Sequence, residues 1–533
     1  MKAFLLFLAS AIIAVVPSVA AQEAGHHDHP AGAHEGERIG SVSFPNSGSP
    51  AAQRPFLRGL ALLHSFEYDD ARTAFRDAER ADSGFAMAYW GEALTFAQLL
   101  WGIDYADSAR AELVRLAPTR DARLARAKTK RERLYGAAVE ALFDTTSVER
   151  RVSGFVSGLR GVVAANPNDL DARAFLAVAL MMDDSGTQAE QTARTQEAIA
   201  LAQSVFAQAP QHPGGAHYLI HAADNPKYAA KGLAAARAYA KIAPDAEHAL
   251  HMPSHIFVQV GAWDDVVSSN ERAWAASRAW VKSHGVPNTE LSFHSLWWLQ
   301  YGCLQQGRFG AARALLDTVR VVLEGTDWTT SDAIDARYAP IQFSYLYARE
   351  TGDWSVYGGG TPLPVVANPK VSGDRAEFFA TSSTAGRAVI AALLGDTLQA
   401  KQLVDSLPER ATIARAEVAG LLAKARGDTT NWIASLGAAA KVDAGVVHLG
   451  PPGSYPPSEM LGDALVAVGR AKDAVAAYRT QLELMPNRSR TLLALARAQR
   501  KAGDIAGATK TEAQLGRNWR AADAGVATRL TER

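Results

Sequence analysis

The sequence predicts an all-α protein built as a solenoid of short helical hairpins, and three observations carry that prediction. From Ala51 onward the chain is rich in Ala and Leu, and its apolar residues recur three and four apart, the spacing of one helix face. Pro and Gly divide this pattern into short helices rather than long ones. The pattern also repeats, because aligning Gly469 with Gly503 places Ala474 on Ala508, an offset of 34 residues. A single hairpin of this size cannot bury its own apolar face, so its neighbours must complete the core.

The C-terminal repeat is the clearest. In the unit Tyr455 to Arg488, Gly462, Gly469, Ala474, Tyr478 and Pro486 fall at positions 8, 15, 20, 24 and 32. Ala71, Phe75 and Ala78 fall at 20, 24 and 27 of a unit starting at Ala52, and Tyr89 is at position 4 of the next, starting at Ala86. Glycines recur at position 15 as Gly261, Gly307, Gly352, Gly395 and Gly427, at uneven spacings that imply inserts. The pattern resembles the tetratricopeptide repeat (TPR) over most of residues 52–517, in eight to eleven units. That resemblance implies a tetratricopeptide-like helix-turn-helix solenoid wound into a right-handed superhelix. It also implies that small residues at 8 and 20 let paired helices approach, and that positions 2, 5, 9, 12 and 13 line a concave groove. Such a groove would take a protein or peptide partner, or a small ligand.

The ends read differently. Lys2, the apolar run from Ala3 to Val16 and the small residues through Ala21 form a secretory signal peptide over 1–21, cleaved after Ala20 or Ala21. The expected location is periplasmic or secreted, as for an exported bacterial TPR protein. No other stretch approaches 18 uncharged apolar residues, so no membrane span is expected in the mature chain. Residues 22–50, rich in Gly, Pro, Ser and His, read as a disordered linker. Its histidines, His26, His27, His29 and His34, would either scavenge metal weakly or simply be solvated. The solenoid is expected over 51–355 and 377–517, separated by a loop at 356–376 that holds Gly358, Gly359 and Gly360, with a tail at 518–533.

Composition narrows the function. With 55 basic and 55 acidic residues, the chain lacks the positive excess of a nucleic-acid binder. The single cysteine, Cys303, lies on an apolar helix position and reads as an inert buried thiol. No GxSxG, no GxxxxGK[ST] and no GxGxxG between a strand and a helix is present.

Histidine is where the sequence becomes specific. Eight of the fourteen lie between His212 and His294. His217 and His221 are i and i+4, as are His251 and His255, so each pair shares a helix face with Cβ atoms about 5–6 Å apart. Each member of the second pair follows its counterpart by 34 residues, one repeat. With Pro244 at position 32 and Gly261 at position 15, both pairs occupy positions 5 and 9 of successive units starting at Pro213 and Glu247. The TPR resemblance therefore implies four histidines meeting across adjacent helices, whose axes lie about 8–10 Å apart. His248 at position 2 is an alternative ligand. Asp224 and Asn225, at 12 and 13, and His294, Trp297 and Tyr301, at 2, 5 and 9 of a unit from Phe293, are expected at the groove edges.

Imidazole suits zinc, copper, iron or nickel. Three histidines with an open position would permit a metal-dependent hydrolase or oxidoreductase, whereas four closed around one ion would be structural. An enzyme would also need an acid or base, for which register offers Asp224 and Glu247, and no CxxCH haem motif occurs. A partner surface and plain structural hydrogen bonding remain as alternatives to a metal. Pro253 bears on all of these. A helix starting there would leave His251 outside it and dissolve the i, i+4 relation.

Overall fold

The computed structural model describes residues 36–98, 100, 104–328, 333–358, 374–453 and 455–528. The predicted signal peptide, the N-terminal histidine tract and residues 359–373 of the predicted loop lie outside them. Among the described residues every regular element is a helix, and the fold is an all-α, tetratricopeptide-like helix-turn-helix solenoid. The chain divides into two compact units, one within His26–Ile256 and one within Phe257–Arg533. The division therefore falls between residues 256 and 257, not at the expected 356–376 loop.

The first unit runs α1 (Pro50–His64), α2 (Tyr68–Ala81), α3 (Ala86–Leu94), α4 (Ala106–Leu116), α5 (Arg120–Arg126), α6 (Lys130–Leu142) and α7 (Val148–Ala165). It continues with α8 (Leu170–Met182), α9 (Gln188–Gln208), α10 (Pro213–Ala223), α11 (Ala229–Ile242) and α12 (Glu247–His251), and ends inside α13 (Pro253–Val260). Helices pair as α1–α2, α6–α7, α8–α9 and α10–α11, and α8 also packs on α10 as the first helices of successive repeats should. α10 further packs against α1, which brings the α1–α2 turn to its histidine-bearing face.

The second unit holds α14 (Trp263–His284), α15 (Phe293–Gln305), α16 (Phe309–Val322), α17 (Ile334–Thr351), α18 (Asp374–Leu393), α19 (Thr397–Asp405) and α20 (Thr412–Ala425). It is completed by α21 (Thr429–Asp443), α22 (Pro457–Ala467), α23 (Ala471–Leu484), α24 (Ser489–Lys501), α25 (Ile505–Asn518) and the short α26 (Ala524–Ala527). Here α15 packs on α17, α18 on α20 and α22 on α24, the same relation between first helices.

Local chemistry explains the repeat. The position-15 glycines, with Gly469 and Gly503, all have φ between 66° and 86°, the left-handed helix stop that a Cβ disfavours. At position 8, a Cβ on Gly462 would lie 2.4 Å from the Tyr478 ring, so the missing side chain is what lets α22 and α23 close. Gly59 and Gly91 sandwich Phe75 in the same way, at 2.9 and 2.4 Å.

The segment expected as a disordered linker is in part packed, and so is the C-terminal tail. Residues 36–49 lie extended along the first unit, with Ile39 and Phe44 buried, Arg38 paired with Asp245 at 2.8 Å, and the Ser41 N–H donated to the Gln211 carbonyl. Composition predicts disorder there because it cannot weigh two apolar anchors in a polar stretch. In the C-terminal tail, Trp519 and Val526 join a core with Leu492 and Leu515. No described helix is long and apolar enough to cross a membrane.

Candidate metal centre

α10 begins with Pro213 at its first turn and His212 as N-cap, whose Nδ1 accepts the Gly215 N–H at 3.3 Å. One turn further, His217 is fully buried. Its Nδ1 lies 2.6 Å from the carbonyl oxygen of His64. A carbonyl only accepts, so that nitrogen carries the proton and Nε2 presents a lone pair. This Nε2 is 3.1 Å from Nε2 of His248, on α12. The Nε2 of His221 is buried with no hydrogen-bond partner. One ligand atom from each of His217, His221 and His248 lies within 4.8 Å of the others.

The second pair stands beside this trio. His251 and His255 are buried, with their Nε2 atoms 3.1 Å apart. The helix does break before Pro253, yet Met252 keeps right-handed helical angles (φ −51°, ψ −36°), so the chain continues its turn through the junction. The i, i+4 relation survives for that reason. Asp224 Oδ2 accepts from His255 Nδ1 at 2.7 Å, which leaves the His255 Nε2 lone pair facing His251. Ring centres of His221 and His255 are 6.1 Å apart, and those of His248 and His251 6.3 Å.

Burial holds these rings neutral. Desolvation, reinforced by neighbouring histidines, keeps His217 and His248 well below the ordinary imidazole range. Desolvation brings His221 and His255 down to about 3. A neutral imidazole is the form that ligates a metal.

The cluster has a lid and a buttress that sequence reasoning missed. Phe66, in the α1–α2 turn, has φ 59°, a left-handed backbone that a bulky residue rarely adopts. Its ring centre lies 4.4 Å from His217 and 5.6 Å from both His221 and His248. Its neighbour His64 is fixed from both ring nitrogens, Nδ1 by the Tyr218 hydroxyl at 3.0 Å and Nε2 by Asp171 at 3.1 Å. Asp171 also bonds His212 Nε2 at 3.2 Å. His64, Asp171 and His212 thus have metal-like spacing, but their protons are otherwise arranged. Because His212 Nδ1 accepts a backbone N–H, its proton sits on Nε2 and is donated to Asp171, so the trio is a hydrogen-bonded support. Glu67 completes the turn, its Oε1 accepting the His248 N–H at 3.0 Å. Desolvation and the nearby Glu247 raise its carboxyl to about 8. Only the left-handed Phe66 could not have been suspected from the helix pattern. His64 and Asp171 are polar residues on apolar helix faces, a readable signal.

The predicted residues therefore divide. The four histidines do not form one shell around a point. His217 and His221 group with His248, the residue expected only as an alternative, while His251 pairs with His255. Phe66 lies against the trio, in which His217 is buried and His221 and His248 are half-buried. Asp224 orients His255. Asn225 is a turn residue whose Oδ1 accepts the Tyr228 N–H at 3.0 Å. His294, Trp297 and Tyr301 all lie buried on α15 in the second unit. Tyr301 stacks edge-on against Trp263 at 5.4 Å, with its hydroxyl 3.5 Å from Arg488 Nη1, so it is core and not groove edge. Cys303 is buried, and burial pushes its thiol up to about 11, as an inert cysteine requires.

No protein-family model matches the chain, and no curated protein does. Similar solved structures include Naa15/Naa10 bound to HypK-THB, 13% identical over 90% of this chain at a TM-score of 0.24. This chain spans 60% of the length of that one. The TPR domain of P58(IPK) is 13% identical, over 85% of this chain and 98% of its own, at 0.21. A human IFIT1 dimer with PPP-AAAA is 11% identical, over 87% and 95%, at 0.37. Likeness at this level says nothing about a site. The fold and the histidines together define a helical-repeat protein with a partly buried imidazole cluster.

Proposed function

We propose that this chain is an exported helical-repeat scaffold that binds a protein, peptide or small-ligand partner and holds a transition-metal ion on His217, His221 and His248. The observation that carries the metal reading is the buried Nε2 of His221, without a partner and within 4.8 Å of ligand atoms of two other histidines. A buried polar atom left unsatisfied is costly, and an ion would satisfy it. The His64 carbonyl supports the same reading, since it sets the His217 tautomer as the acceptors behind metal-bound imidazoles do. An all-nitrogen donor set suits zinc, copper, iron or nickel over magnesium or calcium. The export part rests on the Lys2-to-Ala21 signal pattern.

Elemental analysis of the purified chain tests the metal. Bound metal is expected in the native chain and is expected to fall sharply in His217→Ala combined with His248→Ala. Metal far below one ion per chain, unchanged by that double substitution, would sink the proposal. A second reading, a metal-dependent hydrolase or oxidoreductase, is favoured by one observation: the Glu67 carboxyl bonds the backbone of His248, which puts an acid–base group beside the cluster.

A further inference from the structure

We infer that the cluster takes a second metal ion, held by His251 and His255 beside the first, an inference that rests on the metal reading of His217, His221 and His248. The two pairs are constructed alike. In each, one imidazole is locked by an acceptor on Nδ1: a backbone carbonyl for His217 and the Asp224 carboxylate for His255. In each, the Nε2 of that ring sits 3.1 Å from the Nε2 of a partner histidine. Two nitrogen ligands at zinc distances of about 2.0–2.1 Å with tetrahedral angles stand about 3.4 Å apart, so both pairs are close to the spacing of one ion's neighbouring ligands.

The spacing between the pairs argues against a single shared ion. The trio His217, His221 and His248 converges within 4.8 Å without a member of the second pair. The Asp224–His255 contact is the carboxylate–imidazole arrangement that fixes ligand tautomer and raises ligand basicity at metal sites. The His64–Asp171–His212 trio shows the contrast, because there the carboxylate takes two Nε2 protons and no imidazole lone pair is left facing in. Two neighbouring ions would clamp an anionic group between them, the arrangement that suits a phosphate or carboxylate oxygen.

The test is a cobalt(II) titration of the full chain stripped with a chelator, followed by visible absorption and elemental analysis. Saturation is expected at about two ions per chain in two phases. His255→Gln is expected to remove one phase and keep the other, and Asp224→Asn to weaken that same phase by about 10–100-fold. Circular dichroism of each variant checks the fold. Saturation at about one ion per chain, unaffected by His255→Gln, overturns the second ion and leaves the proposed function standing. No binding at all overturns both. The wild-type chain supplies a readout that needs no variant: electron paramagnetic resonance of the copper(II)-loaded protein should show coupled ions, and an isolated-ion spectrum at saturation overturns the inference.

Discussion

Each unit holds a buried polar cluster, and the two clusters are built by opposite means. The second unit buries charge and pairs it. Arg488 and Glu459 are each 0% exposed, with Nε and Oε2 2.9 Å apart. Glu350 lies 2.7 Å from Arg488 and 3.0 Å from Arg349. Every charge has a counter-charge, so the network is closed. The first unit buries imidazoles that are neutral, and at His221 it leaves a nitrogen with no partner. A closed network specifies packing. An open one can be satisfied by a group from outside, which is the place of the proposed metal ion.

The largest expected effect tests the closed half. Arg488→Met leaves Glu459 and Glu350 buried beside an apolar side chain, and breaking a buried pair this way costs about 3–5 kcal/mol. Denaturant unfolding followed by peptide-resolved hydrogen exchange should show that loss in the second unit. A loss under about 1 kcal/mol would mean that the network is not the closed structural element described here.

Acid separates the halves next. His221 and His255 titrate near 3 in the fold and near the ordinary 6.5 when unfolded. Between those values the unfolded chain binds more protons, so their contribution to stability is complete above about pH 6.5 and falls as pH drops. The slope is about 1.4 kcal/mol per pH unit for each such histidine. Glu459, held well below the ordinary carboxylate range by Arg488 and Arg490 against its own desolvation, contributes stability that is fully present above its unfolded pKa and is lost only in stronger acid. In the metal-free chain, hydrogen exchange at pH 4.5–6.5 should therefore loosen the first unit and spare the second. Equal loosening of both would remove the contrast.

The smallest effect concerns a buried acid of the second unit that stands outside this network. Both carboxylate oxygens of Glu417 are buried without a hydrogen-bond partner, and desolvation with Asp443 nearby keeps the group well above the ordinary range, hence neutral. Glu417→Gln should change stability by less than about 1 kcal/mol, read from the denaturation midpoint. A much larger loss would show that the carboxylate is ionised and paired.

Most of the fold was legible because its determinants are local and repeat. The position-15 glycines stop helices through their own backbone freedom, and Gly462 opposite Tyr478 is a contact between positions 8 and 24 of one unit. The segment misjudged was the linker, where composition outvoted two anchors, Ile39 and Phe44. The candidate site was legible as a neighbourhood. Register alone put His217, His221, His251 and His255 on adjacent helices.

Which nitrogen meets which was decided only by the tertiary structure. His217 turns to His248 because the His64 carbonyl, 153 residues earlier, takes its other proton. His255 turns to His251 because Asp224 does the same for it. Phe66 covers the trio from a turn that belongs to the first hairpin. Periodicity places Cβ atoms, since it follows from backbone geometry. It says nothing of ring rotation or protonation, which are set by acceptors that only the packing of distant helices brings into reach.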